Sequence, residues 1–170
     1  MIIDLVNVVA RPKAIELTLS PDQIDLDIDG TSLIGEVKFS GETERVSEKA
    51  HVRGAIDAEV NVDCTRCLEP VTSKLEILFD DVFVDSAEDS DEIEVALQAE
   101  ELDESIAIDG KINIAEVVRE QIILALPDQA FCKEDCKGLC PKCGSNRNLI
   151  DCRCIEEEID PRWSALKNLK

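Results

Sequence analysis

Val52-Arg53-Gly54-Ala55-Ile56-Asp57-Ala58-Glu59-Val60-Asn61-Val62 decides the fold class. Apolar or small residues hold the even positions and mostly polar ones the odd positions. A pleated strand would send the first set into a core and the second to water. The same alternation appears upstream in Ile15-Glu16-Leu17-Thr18-Leu19 and between Leu33 and Phe39, where Gly35 breaks it. Downstream it returns between Leu75 and Val84. Turn signals separate these runs at Ser20-Pro21-Asp22, Asp29-Gly30, Ser40-Gly41 and Glu69-Pro70. Short strands with regular punctuation predict an antiparallel meander or barrel-like sheet.

A helix is predicted to cover one face of that sheet, which makes the fold class α+β. Asn113-Ile114-Ala115-Glu116 has the form of a capping box, with Asn113 at the N-cap and Glu116 at N3. Ile114, Val117, Val118, Ile122, Ala125 and Leu126 then recur at helical spacing, and Pro127 ends the helix. A second short helix is expected from Asp160-Pro161, with Trp163, Leu166 and Leu169 on one face. The expected organisation is a β-rich domain with its covering helix over residues 1–130. A Cys-rich zinc-binding tail and terminal helix would follow over residues 131–170.

Charge narrows the function classes. The 170 residues carry a net charge of -20. Bulk electrostatic attraction to nucleic acid needs Lys and Arg to displace counterions, so this balance argues against it. With no Tyr, four Phe and one Trp, stacking on bases is poorly equipped too. A basic protein partner fits the charge, as does solubility alone. Between about residues 85 and 104 the chain is intensely acidic, with no Lys or Arg from Lys74 to Lys111. Such a run reads as a solvated loop or as an acidic arm that grips a basic partner, the solvated loop being the default. The N-terminus has no basic export region and no run reaches transmembrane length, so a reducing, cytoplasmic setting is expected. Clustered cysteines there read as metal ligands or redox groups rather than disulfides.

Six of the eight cysteines fall between Cys132 and Cys154. Cys140-Pro141-Lys142-Cys143-Gly144 is a zinc-knuckle signature: the Pro pre-sets a turn that aims N–H groups at the sulfurs, and the Gly lets the chain leave with positive φ. His51 is the single histidine and lies in an alternating β segment, so a structural Zn²⁺ here would be held by four cysteines. Cys140 and Cys143 form one half-site. Spacing leaves the other half open among Cys132, Cys136, Cys152 and Cys154. The favoured set is Cys136, Cys140, Cys143 and Cys154, with Cys132 and Cys152 as alternates.

Cys64-Thr65-Arg66-Cys67 admits three readings. It can share a site with leftover tail cysteines, placing all eight in two zinc sites. It can be a redox dithiol, although a β context with acidic neighbours works against a lowered thiol pKa. It can also be a structural turn. In the tail, Lys133, Lys137, Lys142, Arg147 and Arg153 gather, and Arg162 lies beyond them. These read as RNA contacts or as ordinary charged surface. No catalytic triad, nucleotide loop or singled-out carboxylate pair is present, and a zinc closed by four protein ligands offers no open position. A non-enzymatic protein is expected.

Four segments in order resemble the YceD family of large ribosomal RNA subunit accumulation proteins. They are Cys64-Thr65-Arg66-Cys67-Leu68, Val118 to Pro127, Asp135-Cys136-Lys137-Gly138-Leu139-Cys140-Pro141-Lys142-Cys143-Gly144, and Asp160 to Leu166. The resemblance runs from about Val60 to the C-terminus. It implies a role in accumulating large-subunit ribosomal RNA and in ribosome assembly, through a large-subunit ribosomal protein, the RNA, or both. Some members of that family lack the C-terminal cysteine block, so zinc would belong to this branch. The resemblance makes Arg66, the Cys64 position, the helix and the Asp160-Pro161-Arg162 start candidates for a shared function. The alternative from the residues themselves is a zinc- or thiol-responsive regulatory module using Cys64 and Cys67.

Overall fold

The computed structural model describes residues 1–47, 49–85, 104–154 and 162. In chain order the strands are β1 (Ile2–Asp4), β2 (Lys13–Leu19), β3 (Thr31–Leu33), β4 (Val37–Val46), β5 (Lys49–Asp63), β6 (Pro70–Asp85), β7 (Glu104–Ala107) and β8 (Lys111–Asn113). They are followed by α1 (Ile114–Ala125). The alternating Val52–Val62 run lies inside β5, which pairs antiparallel with β6 from Ala50↔Phe83 to Asp63↔Pro70. Its inward set includes Val52, Ile56, Val60 and Val62, all buried. β4 lies along the other side of β5, with Phe39 opposite Ile56, and β2 lies outside β4. β3 also pairs β5, end to end with β4, so the run from Leu33 to Phe39 is one strand interrupted around Gly35, as its sequence predicts.

The six strands order as β2-β4-β5-β6-β7, with β3 beside β5, in a curled half-barrel. The antiparallel expectation needs one correction, because β7 joins β6 parallel, with Val84 opposite Ile106. A parallel neighbour requires a crossover rather than a hairpin turn. The crossover carries the acidic run, whose residues 86–103 lie outside the described residues. β1 and β8 form a separate antiparallel pair, with Ile3 opposite Ile112.

The Ser40-Gly41 turn is a second correction, since β4 runs straight through it. Gly41 is the register partner of Gly54, and both lie under the Phe39 ring. A Cβ on Gly41 or Gly54 would stand 2.6 Å from that ring. The two glycines are therefore the floor on which a buried aromatic ring rests, not a reversal of the chain. Phe39 also meets Phe79, with ring centroids 5.8 Å apart.

α1 closes the core by burying Ile114, Val117, Val118 and Ile122. Its cap is the predicted Asn113, whose Oδ1 accepts from the Ala115 N–H at 3.3 Å, one residue earlier than a capping box places it. The helix ends before Pro127, as expected. Arg119, on its partly exposed side, donates to the carbonyls of Asp25 and Leu26 and ties down the loop after β2. Gln121 donates to Asp81 Oδ2 at 2.9 Å, while burial holds that carboxyl above its ordinary range. The helix expected from Asp160 falls outside the described residues except for Arg162.

Candidate metal centres

Two reverse turns of one design carry the Cys-x2-Cys pairs. In the β5–β6 turn the Leu68 N–H donates to the Cys64 carbonyl at 2.9 Å, and in the tail the Gly144 N–H donates to the Cys140 carbonyl at 2.9 Å. The residue after the second cysteine has positive φ in both, 61° at Leu68 and 70° at Gly144. The turns then aim matching N–H groups at the first sulfur. Burial pushes the Cys64 thiol up, but N–H groups of Cys132, Arg66 and Cys67 outweigh it and bring it down to about 6. At Cys140 the N–H groups of Cys143 and Lys142 lower the thiol in the same way. Gly144 was readable in the sequence as a positive-φ exit. Leu68 occupies the equivalent place and hides the relationship.

Around these turns the eight thiols form two groups of four, Cys64, Cys67, Cys132 and Cys136 in one and Cys140, Cys143, Cys152 and Cys154 in the other. Within each group the sulfurs all lie within 4.8 Å of one another. A tetrahedral ion with Zn–S bonds near 2.3 Å sets sulfurs about 3.8 Å apart. Cys64 and Cys136 stand at 3.8 Å, and Cys67 and Cys132 at 3.5 Å. The donor set and spacing fit a four-thiolate structural metal in each group, and a metal so closed has no open position for substrate.

The favoured sequence set is thereby divided. Cys136 stands with Cys64, Cys67 and Cys132, whereas Cys140, Cys143 and Cys154 stand with Cys152. The grouping matches the reading in which Cys64 and Cys67 share a site with tail cysteines. The cause is a set of contacts that spacing along the chain does not encode. The Thr65 N–H donates to the Ala130 carbonyl at 2.8 Å, and the Leu139 N–H donates to the Arg66 carbonyl at 2.9 Å. Gly138, with φ 70°, lies so close to that carbonyl that a Cβ would come within 2.9 Å of it. The tail is thus laid along the body's turn, and Cys132 and Cys136 are delivered to it.

Arg66 belongs to this joint. Its guanidinium donates to the carbonyls of Glu134 at 3.3 Å and Cys136 at 3.1 Å, and it lies 4.4 Å over the Phe131 ring. The other proposed contact residues, Lys137, Lys142, Arg147, Arg153 and Arg162, are exposed. Asn148 was not singled out by sequence, yet it holds the segment that carries Cys136. Its Nδ2 donates to Cys136 Sγ at 3.2 Å while its Oδ1 accepts from the Lys137 N–H at 2.9 Å. Its hydrogen bond is also the leading cause that lowers the Cys136 thiol. No spacing rule marks such a residue, because its place depends on the turn that carries it.

The groups differ in burial. Cys64, Cys67 and Cys136 are buried and contact Val71, which also packs on the main core. In the tail group Cys143 and Cys154 are exposed, and Cys152 is half-buried. There the Ser145 hydroxyl and then its N–H hold the Cys143 thiol down to about 6. Hydrogen bonding with Cys143 and Cys140 pushes Cys154 up to about 12. Burial and contact with Cys67 push Cys132 up to about 12 in the first group.

A family model described as "Large ribosomal RNA subunit accumulation protein YceD" matches residues 52–170. An uncharacterized protein of Mycobacterium tuberculosis is 29% identical over 172 residues, covering 98% of this chain and 79% of that protein. The uncharacterized protein YlbN of Bacillus subtilis is 30% identical over 137 residues, covering 80% of this chain and 75% of its own. A protein of Arabidopsis thaliana named "Large ribosomal RNA subunit accumulation protein YCED homolog 1, chloroplastic" is 38% identical over 60 residues, 35% of this chain and 19% of that one. No solved structure matches.

Proposed function

This chain belongs to the YceD family, and on that premise we propose that it is a non-enzymatic cytoplasmic factor supporting accumulation of large-subunit ribosomal RNA and assembly of the large subunit. The observation that carries the reading is the family match over residues 52–170, whose description concerns accumulation of an RNA and names no reaction. A protein at -20 is ill suited to hold naked RNA. Its acidic body, residues 1–130, binds a basic large-subunit ribosomal protein, and the tail from residue 131 positions the pair on RNA. Each four-cysteine group holds one structural Zn²⁺, and the reducing compartment keeps the thiols available to it.

Depletion of the protein in its native cell tests the role. The ratio of large- to small-subunit ribosomal RNA should fall, with large-subunit precursors changed in length. An unchanged ratio overturns the reading. The partner assignment is tested with purified basic large-subunit proteins, whose complex with this chain should weaken as salt rises. Binding indifferent to salt, or none, overturns that part.

A second reading, direct RNA binding by the tail, is favoured by the exposure of Lys137, Lys142, Arg147 and Arg153. Deleting the tail would not separate the two, because it would remove Cys132 and Cys136 from the body's own group. Replacing those four cations with Gln leaves both cysteine groups whole. Escort of a basic protein should survive that change, whereas RNA binding by the tail should not.

A further inference from the structure

The lateral edges of the curled sheet differ in character. β2 is entered through Arg11-Pro12-Lys13 and shows Glu16 to solvent, the charges and proline that discourage addition of another strand. β7 has no proline, and its one charge, Glu104, is paired with Lys49 and mostly covered. It pairs with β6 on one side, and among the described residues no strand pairs with its other side. Its Ile106 is 65% exposed, and Ile108, just beyond its end, is 77% exposed. With Ile2, at 66%, they line a groove of about 430 Å³ that reaches the buried Phe83. The charged residues of that groove are Glu116 and Glu120 from α1 and a single base, Lys111.

We propose that this groove and the edge of β7 that no described strand occupies receive an extended segment of a basic protein, one in which apolar residues alternate with Lys or Arg. The segment adds to the sheet as a strand beside β7. Main-chain hydrogen bonds to the edge supply affinity, the isoleucines select apolar side chains, and the two glutamates select cations. Other occupants fit less well. A second copy of this chain would bring another charge of -20 to an acidic rim. RNA offers phosphates where the rim offers carboxylates. The inference rests on the proposal that the partner is a basic ribosomal protein, and it specifies which surface and which kind of segment are used.

The test uses the full chain and a fluorescein-labelled short peptide alternating lysine and isoleucine, with fluorescence anisotropy as readout. A matching peptide alternating glutamate and isoleucine is the charge control. The variant I106K/I108K places cations on the exposed edge at sites that carry little packing. Its counterpart L78K alters a residue that is 84% exposed. Leu78 lies about 20 Å along β6 from Val84, the register partner of Ile106.

The lysine peptide should bind the native chain and L78K alike, bind I106K/I108K about tenfold more weakly or worse, and leave the glutamate peptide unbound. Equal binding to native chain and I106K/I108K overturns the proposal, as does no binding of the lysine peptide. The same proteins are then offered a mixture of purified large-subunit proteins. If the mixture binds native chain and I106K/I108K equally, the escort reading stands and this groove is the wrong surface. If the mixture binds neither, the escort reading itself fails.

Discussion

Replacing Cys136 with Ser and, separately, Cys140 with Ser distinguishes two metal groups from one. The groups share no cysteine, so each single variant should lose one metal ion of two and the double variant both. Had Cys136, Cys140, Cys143 and Cys154 formed one site, either substitution alone would empty it. The energetic consequences should be unequal as well. Cys136 belongs to the buried group that touches Val71, a residue shared with the main core. An ion bound there at free metal a thousandfold above its dissociation constant stabilises the folded chain by about 4 kcal/mol. For a chain of this size that corresponds to a melting temperature roughly 8–16 °C higher. Cys140 sits in the tail group, away from that core, so its loss should leave the main melting transition close to native. The assay is metal content per chain by mass spectrometry after reducing purification, followed by thermal unfolding at buffered free zinc. The reasoning is refuted if either single variant loses all its metal, or if Cys140→Ser lowers the main transition as far as Cys136→Ser does.

Other outcomes follow from the same geometry. Leu68→Gly should stabilise the protein by about 1 kcal/mol, because Leu68 is 59% exposed and holds φ 61° where glycine is unstrained; chemical denaturation showing a loss would contradict the strained-turn account. Gly54→Ala should cost about 1–3 kcal/mol, since its Cβ would stand 2.6 Å from both the Phe39 ring and the Ser40 carbonyl. A neutral result in denaturant titration would show that the ring has room to retreat. Metal affinity should rise with pH across the neutral range. Cys132 and Cys154, pushed up to about 12, still carry protons there that a bound ion must displace. The dependence should steepen below about pH 6, where Cys64 and Cys143 also take up protons. Competition with a chromophoric chelator at several pH values measures this, and a flat profile would mean that the thiols are already ionised.

Local chemistry made much of this molecule legible. Alternation located β2, β5, β6 and the start of β4, because each buries one face. The helix was marked at both ends, by Asn113 as a cap and Pro127 as a stop. Gly144 showed a positive-φ exit because a Pro-containing Cys-x2-Cys turn stood before it. What escaped depended on partners distant in sequence. Ser40-Gly41 has the composition of a turn, and only the Phe39 ring lying on Gly41 and Gly54 shows why glycine is there instead. The parallel entry of β7 followed a crossover whose acidic residues have no period to read. The cysteine grouping was hidden for a related reason: Cys136 and Cys140 are neighbours along the tail, yet Arg66, Thr65 and Gly138 draw one of them to the body.

The first cysteine group also imposes an order of events on a chain made from its N-terminus. Cys67 and Cys132 are separated by 65 positions, and Cys64 and Cys136 by 72. At common synthesis rates the younger pair emerges roughly 3–14 s after the older. During that interval the β5–β6 turn presents an unfinished pair of thiols, able to grip an ion weakly but not to enclose it. The tail group has no comparable wait, since all its members lie within a short stretch. Full enclosure of an ion there would have to wait until synthesis has passed residue 136, so its closure would be a late latch on a sheet whose long β5–β6 hairpin is made much earlier.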